Sequence, residues 1–161
     1  VMPVTQFNAA DCLRNQLMDF SVDAATSIPW IVRLLENSQS PVALPGSISL
    51  FNHDCLHILL GRDRSPESEA YVIGFTMGND VKCQSIHLWI FKIFALFFYP
   101  EKYRLRWSDL GEFDRGVAHG RHLDIKNLNQ INFSHLQDHS IFELRKQFQL
   151  SLMCAQAKAA R

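Results

Sequence analysis

The stretch "LFNHDCLHILLGRDRSPESEAY" (residues 50–71) sets the architecture expected of this chain. An apolar run stops at Gly61, a residue that tolerates the left-handed backbone of a helix end. The turn "GRDRS" follows. Ser65 then supplies an N-cap, and Pro66 a first helical position, where its missing N–H costs nothing. The spacing predicts a helix from about Ser47 to Leu60, a tight basic turn, and a second helix packed antiparallel to the first.

On a helix at about 100° per residue, with His53 at zero, His57 falls at about 40° and Asp54 at about 100°. Ile48, Phe51, Cys55, Leu56, Ile58 and Leu59 fill most of the remaining circle. A helix that is apolar nearly all round is a buried one. Its polar sector then needs a partner, and a divalent ion would satisfy it. His57 lies about one turn before Gly61, and Glu69 about one turn after Ser65, so both side chains reach the same level of the hairpin. The candidate ligand set is His53, Asp54, His57 and Glu69. Two imidazoles and two carboxylates suit zinc, iron or manganese, with magnesium admitted through the oxygens. Spacing alone equally admits two incidental helix histidines and an acid drawn to a helix N-terminus by the dipole.

Several chemistries are tested and set aside. A zincin protease needs HExxH, whereas Asp54 stands at the Glu position and is one methylene too short; "ILLG" after His57 does not continue a metzincin motif. A phosphohydrolase of the His-Asp type needs a further upstream histidine, and residues 1–52 contain none. The chain has no Gly-rich phosphate loop, GxSxG or CxxC.

Working outward, the pattern is helical almost throughout. Asn8 is a candidate N-cap for "NAADCLRNQLMDF", with Leu13, Leu17 and Phe20 near one face. "SIPWIVRLLENS" reads as a helix with Pro29 in its first turn, and "QSPVALPGS" as a loop. Segment 86–99, "IHLWIFKIFALFFY", carries only His87 and Lys92 as polar residues. Its length of about 21 Å falls short of a bilayer core of about 30 Å, so no transmembrane span is expected. It reads as a buried central helix or dimer face. Its other reading is a wall of Trp89, Ile90, Ile93, Phe94 and Phe97 that receives an apolar ligand or touches a membrane surface. "WSDLGEFDRGVAHGRHL" is a weaker helix interrupted by glycines; its "HGRHLD" end, with His119, His122 and Asp124, reads as a helix end or loop. A polar linker leads to "SIFE", a capping box of Ser140 and Glu143, and to an apolar stripe of Ile141, Leu144, Phe148 and Leu152. Arg62 and Arg64 read as a solvated turn; beside a bound anionic head group they would become charge partners.

At 161 residues the chain is expected to form one domain, 1–161, with its own core. The fold class expected is an all-α single-domain bundle of about six to seven helices. Lys plus Arg and Asp plus Glu are equal at 16 each, so no net field draws nucleic acid or an anionic membrane. Cys12, Cys55, Cys83 and Cys154 are scattered, which fits a reducing compartment better than a disulfide framework. "VMPVTQFNAADC" has no basic region before an apolar run, so no signal peptide is expected. A cytoplasmic or peripheral membrane location, not secretion, is the expectation.

The pattern His53, Asp54, His57 and, after eleven further residues, Glu69 resembles the metal-ligand signature of the coenzyme Q (ubiquinone) biosynthesis protein 4 family. Gly61 stands where that family usually has glycine. The ending "DRGVAHGRHLDIKNLNQINFSHLQDHSIFELRKQFQL", with Glu143 and Arg145, is loosely similar to the family's. The resemblance is that of a divergent member: Ser68 replaces a usual glycine, and the linker lacks a usual tryptophan. It implies an all-helical, often dimeric protein bound peripherally at membranes and required for making ubiquinone. It also implies one of two roles. One is binding a prenyl lipid or polyprenyl quinone precursor for partner quinone-biosynthesis enzymes. The other is metal-dependent oxidative removal of the head group's C1 carboxyl. A purely structural role for a metal that fixes the hairpin is the third reading.

Overall fold

A computed structural model describes residues 8–20, 44–99, 101 and 104–150 of the chain. Six α-helices occur among them: α1 (Leu13–Phe20), α2 (Leu50–Leu60), α3 (Pro66–Asn79), α4 (Ser85–Ile93), α5 (Leu110–His122) and α6 (Ile141–Gln147). Short 3-10 turns and a π-helical turn at Phe94–Phe98 join them, and no strand occurs among the described residues. The fold is all-α. The helix expected over 27–38 and Leu152 of the last stripe lie outside the described residues.

The hairpin forms through the local signals in its sequence. Ser49 caps α2, its Oγ accepting the Asn52 N–H at 3.3 Å, so α2 starts at Leu50 rather than at Ser47. Gly61 closes it at φ 68°, donating its N–H to the His57 and Ile58 carbonyls. Ser65 caps α3 by accepting the Ser68 N–H, with Pro66 in the first turn. At the N-terminal end, Asn8 closes only a turn, accepting the Ala10 N–H. Asp11 takes up the Cys12 N–H and the Asn15 amide instead, and α1 begins at Leu13. Backbone bonds from Leu13 to His139 and from Ile141 to Asp11 tie this end to the start of α6. The Ser140–Glu143 capping box forms as expected.

Helix α3 is the centre of the molecule. It contributes Tyr71, Val72 and Phe75 to one apolar cluster, shared with α1, α2 and α6. It contributes Ala70 and Met77 to a second, shared with Phe91, Ala95, Tyr99, Phe113 and Val117. The expectation that 86–99 would be the buried central helix is therefore corrected. Helix α4 buries Phe91, and the π-turn after it buries Ala95, while Trp89 is 61% and Phe97 58% exposed. The reason is that α3 and α5 already pack against each other at backbone distance, leaving α4 only one side to cover.

That close approach rests on glycine. A Cβ at Gly74 or Gly78 would overlap the Phe113 or Val117 carbonyl of α5. A Cβ at Gly116 or Gly120 would overlap the Tyr71 or Phe75 carbonyl of α3. The glycines that weaken the sequence signal for α5 thus form its contact surface. Past α5, the polar linker is held by buried Asn79. Its amide donates to the Gly120 and Ile125 carbonyls, and its Oδ1 accepts the Leu128 N–H at 2.8 Å.

Gly116→Ala is expected to destabilise the fold by roughly 1–3 kcal/mol, the cost of overpacking a tight contact. Gly111→Ala, where a Cβ meets nothing within 4 Å, is expected to be neutral or stabilising by up to about 1 kcal/mol. Urea unfolding of the two variants beside the unmodified chain measures both. Equal effects would contradict the backbone-contact account.

Candidate metal centre

Residues four apart on a helix share a face, and the hairpin sets the first turn of α3 against that face of α2. His53 and His57 of α2 therefore meet Glu69 of α3. The His53 Nε2 lies 3.0 Å from Glu69 Oε2 and 3.0 Å from His57 Nε2, which is itself 3.3 Å from the same carboxylate oxygen. One donor atom from each residue lies within 4.8 Å of the others. Ligands about 2.0–2.1 Å from a tetrahedral zinc sit about 3.3 Å apart, so the three donors fit one ion with little adjustment. The His57 side chain is 1% exposed, His53 15% and Glu69 35%, which leaves the carboxylate edge open to solvent.

Asp54 is placed differently. About 100° round the helix from His53, it leaves the seam. Its Oδ2 accepts from Arg64 at 3.2 Å, and it is not one of the three converging groups. Burial pushes the Asp54 carboxyl above its usual range, against the pull of Arg64 and the two histidines. Its outer side lines an open groove of about 420 Å³, with Arg14, Leu17, Met18, Leu50, Phe51 and Gln137.

The two turn arginines diverge. Arg64 spans Asp54 and the Phe20 ring, 4.4 Å from its centroid, and Phe20 in turn packs on His57 at 5.4 Å. Arg62 turns to the other side, stacking at 3.6 Å on Tyr71 and reaching Glu112 at 3.5 Å. Phe20 was not a candidate from sequence; its place on the α1 stripe marked it only as core. The His57 Nδ1 is buried with no hydrogen-bond partner among the described residues, where the ring packs against Phe20 and His53.

Three neighbouring groups are accounted for without an ion. Burial, helped by Asp54, pushes the Cys55 thiol up to about 12, and Cys55 is not one of the three converging groups. Arg145 donates to the Ile58 and Leu59 carbonyls at 2.9 and 2.8 Å, satisfying the C-terminal end of α2. His119 is buried, and its Nδ1 lies 2.6 Å from the Tyr71 hydroxyl. Burial and the Arg62 charge hold His119 below its ordinary value, which favours a neutral ring beside the phenol. His122 and Asp124 are exposed, and no second ligand group forms there among the described residues. No family model, curated protein or solved structure matches this chain.

Burial alone would raise the Glu69 carboxyl, but hydrogen bonds and charge from His53 and His57 hold it well below its usual range. A lowered carboxyl stabilises the fold above its unfolded value, and this contribution is lost as pH falls through the folded one. Denaturant unfolding in a chelator, run from neutral pH to below about pH 4, should show a shallower acid-side loss in Glu69→Gln than in the unmodified chain. Parallel profiles would contradict the pairing.

Proposed function

We propose that this protein holds a divalent metal ion through His53, His57 and Glu69. We further propose that it binds a prenyl lipid of ubiquinone-type quinone biosynthesis, a polyprenyl quinone precursor, with the head group at the ion. The observation that carries this reading is the convergence of three donors from two helices on one point with an open edge. Two imidazoles and one carboxylate form the donor set of catalytic zinc and of non-haem iron sites, both of which leave positions for another ligand. Bound there, the ion would act as a Lewis acid toward a head-group oxygen or supply redox chemistry, according to its identity.

The chain's own residues have separable parts in this. His57, fully buried, would hold the ion on its inner side, and Glu69 would supply charge at the open edge. Asp54 and Arg64 form a pair beside the ligands, with Arg64 the available charge partner for an anionic head group. The groove beyond Asp54, walled by Leu17, Met18, Leu50 and Phe51, offers apolar surface to a tail. The resemblance of residues 53–69 to the quinone-biosynthesis signature supports the choice of lipid.

A second reading is favoured by the same donor set: oxidative removal of the head group's C1 carboxyl at a redox-active ion. Scaffold and dimer roles among quinone-biosynthesis enzymes belong to the same proposal.

Metal analysis and lipid extraction of the purified protein test the binding reading. The expected result is one divalent ion per chain and a co-extracted isoprenoid, with the ion lost in His57→Ala. Zinc titration of the metal-free chain should show one site, weakened in Glu69→Gln by more than the roughly 10–100-fold that loss of an outer-shell partner costs. Affinity should fall as pH is lowered, because imidazole ligands bind in their neutral form. A purified protein with neither metal nor lipid would remove the basis of the proposal. Carboxyl loss from a polyprenylated head group, with iron and oxygen and abolished in His57→Ala, would establish the enzyme.

A further inference from the structure

The last turn of α5 carries a buried histidine that the candidate metal centre does not use. His119 is 8% exposed, and its Nδ1 lies 2.6 Å from the Tyr71 hydroxyl of α3. Its ring meets the Phe75 ring edge-on, with centroids 5.1 Å apart. Gly116 and Gly120 stand on either side of it in the chain, and a Cβ at either would overlap a carbonyl of α3. The imidazole thus sits where the two helices are closest, and turning it out to solvent means leaving both ring contacts of α3.

The described groups around this ring offer no charge to balance an added proton. Tyr71 is a phenol, neutral until about pH 10. Its oxygen can accept or donate, so it bonds either form of the imidazole without compensating the charged one. The Arg62 guanidinium stacks on the same phenol, 3.6 Å from its centroid. On α5 itself, buried Glu112 already faces both Arg62 and Arg115, and Asp114 pairs with Lys92 of α4. A helix C-terminus ordinarily favours an imidazolium through its dipole. Here Lys126 takes that place, its Nζ donating to the Gly120 and Arg121 carbonyls at 3.3 and 2.7 Å. Arg121, His122 and Asp124 are exposed to solvent at the helix end.

Burial, the Arg62 charge and the His122 charge all hold His119 below its ordinary value. A base lowered in the fold takes up its proton more readily in the unfolded chain. Its neutral form therefore stabilises the fold above about pH 6.5, the unfolded value, and this contribution is lost as pH falls through the folded value beneath it. The loss falls on a short piece of chain. The Gly120 carbonyl, next to His119, accepts from the buried Asn79 amide, which also holds the Ile125 carbonyl and, through Oδ1, the Leu128 N–H. Displacing the last turn of α5 pulls on the same side chain that holds the linker, so the two open together as a local unit.

We propose that His119 is a pH-sensitive latch on the α3–α5 seam. Neutral, it holds the last turn of α5 against Tyr71 and Phe75; protonated, it leaves that place and releases the turn with residues 123–128 behind it. The latch stands independently of the candidate metal centre, since His119 is not one of the three converging groups.

Amide hydrogen exchange and histidine ring proton resonances, followed from about pH 8 to about pH 5 in a chelator, test it. The chelator lets His53 and His57 titrate alike in every variant. The amides of residues 119–128, corrected for the intrinsic exchange rate, should be protected at the upper end and lose that protection at the lower, while the middle of α3 stays protected. The His119 ring should titrate with a midpoint below the ordinary value of about 6.5, and Arg62→Gln should move that midpoint upward. His119→Gln keeps a hydrogen-bonding side chain beside Tyr71 but takes up no proton, so its unfolding free energy should fall less over this range than that of the unmodified chain. Three results would each overturn the proposal: protection of 119–128 that persists at the acid end, a His119 midpoint at or above the ordinary value, or parallel unfolding profiles in His119→Gln and the unmodified chain. The first two are read on the unmodified chain, so they decide the matter even where His119→Gln fails to fold.

Discussion

Helices α3 and α5 lie so close that glycines 74, 78, 116 and 120 face the carbonyls of the partner helix, with no room for a Cβ between them. The contact fixes α3 as a rigid central rod, and the other parts are placed by reference to it. On one side of α3, Val72 and Phe75 meet α2 and the α1–α6 pairing; on the other, Ala70 and Met77 meet α4 and its π-turn. Glu69 sits in the first turn of that rod, so its position relative to α2 is set by a helix that cannot easily move. The first turn also carries the positive end of the helix dipole, which favours an ionised carboxylate there. Asn79, at the other end, joins α3 to the end of α5 and to the linker through three side-chain hydrogen bonds. One helix therefore carries both the candidate ligand and the lock.

The hairpin and the His53–His57–Glu69 group were legible in the sequence because their causes are local. Ser65, Pro66 and Gly61 each specify a backbone state within a turn of themselves, and the level of Glu69 follows by counting residues from the turn. The rest depended on information that no window contains. Asp54 read as a ligand because a helix wheel gives direction round one helix but not the position of an arginine across the turn. Segment 86–99 read as central because hydrophobicity reports what a helix could bury, not which neighbours remain available to it. The true centre, α3, has a less apolar sequence than α4, and its burial comes from two pairs of glycines, Gly74 and Gly78 and Gly116 and Gly120, more than forty residues apart in the chain. Their matching four-residue spacing was the signal, visible only when the two helices are compared.

Composition hides arrangement in a similar way. Equal totals of acid and base suggested a molecule with no preferred electrostatic face. The balance conceals an arrangement in which the basic surplus of residues 81–107 coincides with the exposed aromatics, and the compensating acids lie elsewhere in the chain. A field at a surface depends on charges within about one Debye length of about 8–10 Å, so a total over 161 residues says little about any one face.

The placement of Asp54 bears on what the candidate centre would accept. Four ligands, two of them carboxylates, would cancel a divalent charge and leave no electrostatic reason for another ligand to enter. Asp54 instead faces Arg64, so that pair is neutral by itself and Glu69 is the one carboxylate among the converging donors. A divalent ion there would retain a net positive charge, in a position whose far side is closed by buried His57 and whose open side is the Glu69 edge. Such a site attracts an oxyanion more strongly than a neutral oxygen. A carboxylate, phosphate or phenolate would suit such a site, and Arg64, paired with the Asp54 that follows His53 in the chain, would be a further cation in that region. The Asp54–Arg64 bridge is then a discriminator between an ion that only holds the hairpin together and one that receives an acidic head group, since only the second would gain from a cation beside Asp54.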